Sequence, residues 1–400
     1  MASDTPPFDK SDFRQQLEKE LTENILPFWM TYVVDKVNGG FYGAVTNDLK
    51  VHNEVPRSAT LCARILWTYA TAYRRLGAEQ YLSMARWAYD YLTHVFWDRE
   101  YGGLYWQVDY KGNPVSDRKH HYAQAFAIYG LSEYYRATQE PQSLMLAQTL
   151  FHLLEKYAYD AVYQGYIEGS SRSWGALRDM RLSDKDLNCR KSMNTMLHIL
   201  EAYTNLLQVW EDAHLKAQHR ALVETFQQHI IDHQTGHFKL FFDDQWQSLS
   251  EKVSFGHDIE GSWLLWEAAK AQSDPALLAQ VRQSVISMAT AVYREGLDDD
   301  GSLFYEANPP DTSKAWWAQA EAVVGFYNAY QLSGQVQFAQ AAYRCWRYIQ
   351  TKIVDRRHVE WFKQLHRDGT PDHVRYKAGP WDCPYHQSRA CFEMLDRLDS

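Results

Sequence analysis

Apolar residues recur at helical spacing in twelve segments of the chain, separated by short polar breaks. The pattern predicts helices over 9–33, 57–76, 80–96, 118–137, 141–157, 189–211, 215–231, 257–271, 275–295, 314–332, 336–353 and 384–397. After every second segment a similar turn returns. Asp35-Lys-Val-Asn-Gly-Gly40-Phe41-Tyr42 is echoed by Asp98-Arg-Glu-Tyr-Gly-Gly103-Leu104-Tyr105 and by Asp160-Ala-Val-Tyr-Gln-Gly165-Tyr166. Weaker copies stand at Asp232 to Phe238, Asp299 to Tyr305 and Asp355 to Phe362, the last without its glycine. Each copy reads as a helix end, a glycine turn and a short aromatic strand or hairpin.

Helices in six pairs, at a period of roughly 60 to 70 residues, predict an all-α fold. The expected form is a single six-hairpin (α/α)6 barrel, a toroid with short β-hairpins in its connecting loops. Each repeat needs neighbours to cover its apolar face, and a closed ring leaves no repeat exposed at an end. The competing arrangement, two helical domains, lacks a Pro/Gly/Ser linker to divide them. The barrel is expected to span 9–400, behind a flexible N-terminus at 1–8.

Alternate helices of such a ring line its centre, and those segments carry polar residues unusual for a core. Arg64 stands in Leu61-Cys-Ala-Arg64-Ile-Leu-Trp67, and Asn194 and His198 in Met193-Asn-Thr-Met-Leu-His198. Glu260 follows Gly256-His257-Asp-Ile, and Glu321 ends Trp316-Trp317-Ala-Gln-Ala-Glu321. Charges among apolar neighbours need partners or a solvated cleft. Each could be an internally satisfied group; a polar central cavity accounts for them together.

Composition narrows the function. The 46% hydrophobic content supports a large core, and 15 Trp, 27 Tyr and 17 Phe suit both that core and a cleft that stacks on sugar rings. A net charge of −9, without a basic cluster, argues against nucleic acid as a partner. No apolar run reaches the length of a membrane span, and the first residues lack the apolar stretch of a secretory signal. Five cysteines without a C-x-x-C pair fit reduced thiols and a cytoplasmic address.

Two histidines stand at predicted starts of inner helices. His257 follows Phe255-Gly256, with Glu260 on the same helical face; His386 follows Cys383-Pro384-Tyr385 at the last helix. Taken singly, either reads as structural. Together with Arg64 and His198 they could converge on one sugar-sized volume. His257, Glu260 and His198 could also supply metal ligands, but no H-E-x-x-H, Cys/His cluster or Asp-rich loop accompanies them, and His120-His121 diverge on a helix. A G-x-S-x-G elbow and phosphate-binding glycine loops are absent. Neither a metal nor another cofactor is expected.

Several stretches resemble the N-acylglucosamine 2-epimerase superfamily, and within it the cellobiose 2-epimerases. They are Ala63-Arg64-Ile-Leu-Trp67, Tyr122-Ala-Gln-Ala-Phe-Ala127, Asp184 to Leu206, Phe255-Gly-His257-Asp-Ile-Glu260, Trp316-Trp317-Ala-Gln-Ala-Glu321 and Cys383-Pro-Tyr-His386-Gln-Ser-Arg-Ala-Cys391. The resemblance covers essentially the whole chain, and it implies the same six-hairpin barrel. It implies that His257 and His386 are the acid/base pair, that Arg64 and His198 contact the sugar oxygens near C1 and C2, and that Glu260 supports the histidines. Tyr122, Asn194 and Glu321 match sugar-site positions, Trp317 and Trp381 aromatic walls, and Asp186 lies on a loop able to reach a second ring. Met196, Asp382 and Gln387 depart from the His, Lys and Asn usual in cellobiose 2-epimerases.

The implied reaction is C2 epimerisation of a small-molecule sugar through an enediolate of the open-chain form, on cellobiose or another β-1,4-linked disaccharide. Histidine, with a pKa near 6.5, exchanges acid and base roles near neutral pH. Alternatives are a mannose or N-acylglucosamine 2-epimerase acting on the monosaccharide, an aldose–ketose isomerase that reprotonates C1, and a glycoside hydrolase using Glu260, Glu321 or Asp186. A monomer or a homodimer is expected.

Overall fold

The computed structural model of the chain describes residues 8–399. Among them twelve helices follow in the expected order. Helix α1 starts as Lys10–Lys19 and runs through a π-helical turn, Glu20–Ile25, into Leu26–Tyr32. It is followed by α2 (Ala59–Leu76), α3 (Glu79–Tyr91), α4 (His121–Thr138), α5 (Pro141–Tyr157), α6 (Met193–Leu206) and α7 (Ala213–Thr225). The rest are α8 (Phe255–Gln272), α9 (Pro275–Glu295), α10 (Trp316–Ser333), α11 (Val336–Tyr348) and α12 (Tyr385–Asp399). Each even-numbered helix packs on the next, from α2 round to α12, and α12 packs back on α2. Each odd-numbered helix lies outside: α3 on α2, α5 on α4, and so on to α1 on α12. This closed ring of six hairpins is the expected (α/α)6 barrel.

Burial separates the two sets. Helix α4 is buried without a break from His121 to Tyr134, and α10 from Trp316 to Ala329, because neighbours surround an inner helix on every side. An outer helix buries one stripe; in α9 it is Leu277, Val281, Val285, Met288 and Val292. No helix among the described residues is long and apolar enough to cross a membrane. Of the expected flexible segment 1–8, residues 1–7 lie outside the described residues, and Phe8 stacks on Tyr343 with ring centroids 4.7 Å apart.

Several inner helices start later than the periodicity predicts. The residues just ahead of them form two-residue strands: Arg57–Ser58, Lys119–His120, Lys191–Ser192 and Lys314–Ala315. His120 is therefore the extended residue before α4 rather than a helical neighbour of His121. These strands also tie the repeats together. Five of the six repeated turns end in a one-bridge hairpin, such as Val34 with Phe41 and Trp97 with Leu104, and a buried base from further along grips the aspartate of each; the fourth closes as a two-residue ladder of Ile231–Asp232 with His237–Phe238. Arg57 meets Asp35 at 2.5 Å, Lys119 meets Asp98 at 2.9 Å, and Lys191 meets Asp160 at 2.9 Å. Lys314 meets Asp298 at 2.7 Å and Lys377 meets Asp355 at 2.6 Å. In the fifth copy the aspartate in this role is thus Asp298, one place before the expected Asp299.

The sixth turn, without its glycine, keeps the same backbone. Glu360 takes φ 59°, a left-handed conformation that costs an L-residue about 1–2 kcal/mol. Its side chain offsets the strain by accepting hydrogen bonds from Trp29 Nε1 at 2.9 Å, Lys363 Nζ at 2.9 Å and Gln387 Nε2 at 2.7 Å.

Lys377→Met should destabilise the fold by about 3 kcal/mol, because it strands Asp355 and removes a hydrogen bond to the Val359 carbonyl. Thermal unfolding of this variant beside the double variant Lys377→Met/Asp355→Leu checks the point. The single change should lower the midpoint, and the double change should recover most of it.

Candidate active site

The inner helices turn their N-termini toward one end of the ring. Tyr122, Asn194, His257, Trp316, Trp317 and His386, all in first turns, line a cavity of about 340 Å³ there. Last-turn residues such as Arg136, Lys270 and Arg397 gather at the opposite end. The positive ends of these five helix dipoles therefore face the cavity and favour negative charge within it.

His257 enters the cavity from the first turn of α8. Its Nδ1 is engaged by Ser254 Oγ at 2.7 Å, and among the described residues nothing bonds its Nε2. Its ring lies against the Trp317 indole, with centroids 4.7 Å apart. Gly256 makes that approach feasible: a Cβ there would fall 2.5 Å from Trp317 Cη2. His386, in the first turn of α12, contacts the same indole at 5.5 Å. Its Nδ1 faces Glu321 Oε1 at 2.7 Å and Glu260 Oε1 at 3.8 Å. Burial pushes both imidazoles toward the neutral form. His257 is held down to about 3, with His198, Lys252 and Arg64 adding positive charge. His386 is held well below its ordinary value, with Arg64 and Arg389 adding to burial.

Behind these side chains one guanidinium joins three carboxylates. Arg389, on α12, bonds Glu260 Oε1 at 2.5 Å and Glu321 Oε1 at 2.6 Å, and also holds Glu201 and the Tyr385 hydroxyl. Glu201 accepts from or pairs with His198 Nδ1 at 2.9 Å, and Trp263 Nε1 donates to Glu321 at 3.0 Å. Burial alone would push Glu201 up, but Arg389 and His198 draw it down to about 2. Burial and the neighbouring Glu321 push Glu260 up to about 7, and burial pushes Glu321 up as well. Glu260 lines the cavity, and among the described residues its Oε2 has no hydrogen-bond partner. Glu260, Glu321 and His386 place ligand atoms within 4.8 Å of one another, as a metal would need. The Arg389 guanidinium already supplies a positive charge to both carboxylates.

Arg64 reaches the cavity from α2, donates to the Tyr122 hydroxyl at 2.6 Å and lies over the Phe126 ring at 4.2 Å. Among the described residues Asn194 Oδ1 is buried without a partner. Trp381 packs on Trp106 and Tyr122, with centroids 5.9 and 6.0 Å apart. Asp186 is held by the Ser183 backbone N–H and hydroxyl at 2.8 and 2.7 Å. All the site residues expected from the sequence line this one cavity except Glu321, which sits behind His386. Glu260 shares a helical face with His257, yet its hydrogen bond goes to Arg389, and Glu321 is the carboxylate against His386. Sequence reasoning missed Glu201, Arg389, Ser254 and Trp263. Each lies three residues from a recognised one, so helical spacing was the available signal.

A family model described as N-acylglucosamine 2-epimerase (GlcNAc 2-epimerase) matches residues 40–390. The cellobiose 2-epimerase of Bacteroides fragilis is 47% identical over 386 residues, 96% of this chain and 98% of that one. The structure of the cellobiose 2-epimerase from Bacillus thermoamylovorans aligns with a TM-score of 0.92 and 42% identity, covering 97% of this chain and all of the other. A D-mannose isomerase structure, 18% identical over 98% of this chain and 99% of that one, aligns with a TM-score of 0.82 and shares the fold.

Proposed function

The chain belongs to the N-acylglucosamine 2-epimerase family, and from that premise we propose that it acts on cellobiose, interconverting glucose and mannose at the reducing end. The reading is carried by His257 and His386, one half-buried and one buried imidazole that share the Trp317 indole at the wall of the cavity. C2–H becomes acidic only beside a carbonyl, so the reacting form is the ring-opened aldose. One histidine removes the C2 proton and leaves an enediolate; the other returns a proton to the opposite face.

The charge that develops on O1 and O2 is met by Arg64, by His198 and by the helix N-termini. His198 is oriented for this by Glu201 at 2.9 Å. The exchange requires one proton resident on the acid/base groups. Burial disfavours charge on either imidazole, while Glu260 and Glu321 both hold protons above the usual carboxylate range. In this reading the proton is shared within the His386–Glu321–Glu260 cluster, where Nδ1 of His386 lies 2.7 Å from Glu321 Oε1. His386 Nε2 gives its proton to C2 as Nδ1 takes one from Glu321. Nothing is oxidised or reduced, so the chemistry calls for no nicotinamide.

Incubation in deuterated water with cellobiose, lactose, glucose, mannose and N-acetylglucosamine tests the reading. Cellobiose should yield the mannose-ended epimer with deuterium at C2. A ketose as main product would show that reprotonation occurs at C1. Release of free glucose would mean hydrolysis, and preferred turnover of a monosaccharide would move the substrate assignment.

A further inference from the structure

One cavity-lining carboxylate has no partner. Asp382 is 7% exposed, and among the described residues no hydrogen bond or ion pair reaches its side chain. Other charged groups along the same wall and mouth are engaged. Lys252 meets Glu306 at 2.7 Å, Lys363 meets Glu360 at 2.9 Å, Arg375 donates to Gln364 at 3.0 Å, and Ser183 holds Asp186. Burial pushes Asp382 up to about 6, against the pull of Lys363 and Arg375. Burying a carboxylate without a donor costs stability, so the fold alone gives no reason to keep it there. Gly379 leaves it room: a Cβ at that position would fall 2.9 Å from Asp382 Oδ2.

Asp382 and His386 answer to different charges. The charges that act on it are Lys363 and Arg375, whereas His386 feels Arg64, Arg389, His198 and His257. Arg375, Tyr305, Glu306 and Asp186 border the same cavity as Asp382. Next to Asp382 in the chain stands Trp381, half-buried and bordering the same cavity. An ionised acceptor beside an indole face suits a pyranose, whose C–H face covers aromatic carbon while its hydroxyls donate.

We propose that Asp382 is a specificity-determining residue, its carboxylate accepting hydroxyl hydrogen bonds from the sugar ring of the disaccharide that does not react. This rests on the reading of the site as a disaccharide 2-epimerase. The test compares wild type, Asp382→Asn and Asp382→Ala. It measures KM and kcat with cellobiose, Kd for the alditol of cellobiose (which has no carbonyl and cannot react), and the thermal midpoint. KM and Kd should rise about tenfold, the size of one hydrogen bond to a charged group, with the effect on KM rather than kcat. The midpoint should hold or rise, since the variants relieve an unpaired buried charge. KM and Kd within twofold of wild type, or a loss of affinity that tracks a fallen midpoint, would overturn the assignment. Should wild type leave cellobiose unchanged, the reaction reading fails, and the alditol titration still decides the role of Asp382.

Discussion

Asparagine in place of His386 is expected to lower kcat for cellobiose epimerisation by about 10³- to 10⁴-fold, the upper range for a positioned acid/base group. The loss should be lopsided in a way that a folding defect would not produce. His257 keeps its bond to Ser254 and its contact with Trp317, so it can still remove C2–H from the epimer that presents that bond to it. With no proton donor on the other face, the enediolate is reprotonated by the same histidine. In deuterated water His386→Asn should therefore load deuterium into C2 of one epimer without converting it. His257→Asn should do the same for the other epimer. Nuclear magnetic resonance at C2 of each sugar reads both outcomes. Equal labelling of both epimers by either single variant would mean that one residue serves both faces, and the two-base scheme would fall.

Arg389→Met should be the most damaging change outside the cavity. It leaves Glu201, Glu260 and Glu321 buried together without the guanidinium that joins them, at a cost of about 3–5 kcal/mol. It also frees the carboxylates that hold His198 and His386, and misplaced reacting groups cost about 10²-fold or more in kcat. The sign of the pH effect follows from Glu201. Its folded-state pKa lies near 2, below the ordinary carboxylate value of 4.5, so it stabilises the fold above that ordinary value. That contribution disappears as pH falls toward 2, and the variant lacks it throughout. The gap in thermal midpoint between wild type and Arg389→Met should therefore be wide at pH 7 and narrower at pH 4. Arg389→Lys retains the charge but loses the planar fork, so it should recover more of the midpoint than of kcat. Equal midpoints at pH 7 would show that the carboxylates are not held by this residue.

Much of the architecture was legible in the order of residues. Helical spacing and the returning aspartate–glycine turn led to six hairpins and to a ring, because a hairpin with one apolar face needs neighbours on both sides. Starts of inner helices were placed too early where Arg57, Lys119, Lys191 and Lys314 stand, since a short strand and a helical turn look alike over two residues. The buried bases there were invisible for a different reason. A lysine reads as surface until an aspartate from another turn is brought to meet it, as Asp98 meets Lys119.

By itself, then, the sequence determined what local periodicity and backbone preference control. These are the twelve helices, the turns between them, and the entry of His257 and His386 at the starts of two inner helices. Only the tertiary structure decided which charges share a partner. Local spacing pairs His257 with Glu260, but Arg389, more than a hundred residues away, takes Glu260, Glu321 and Glu201 together. Inside a low-dielectric core, buried carboxylates compete for the Arg389 guanidinium, and ring closure alone brings it there. The same closure leaves Asp382 without a cation of its own. Its isolation is a property of distances between helices and loops, which no stretch of sequence records.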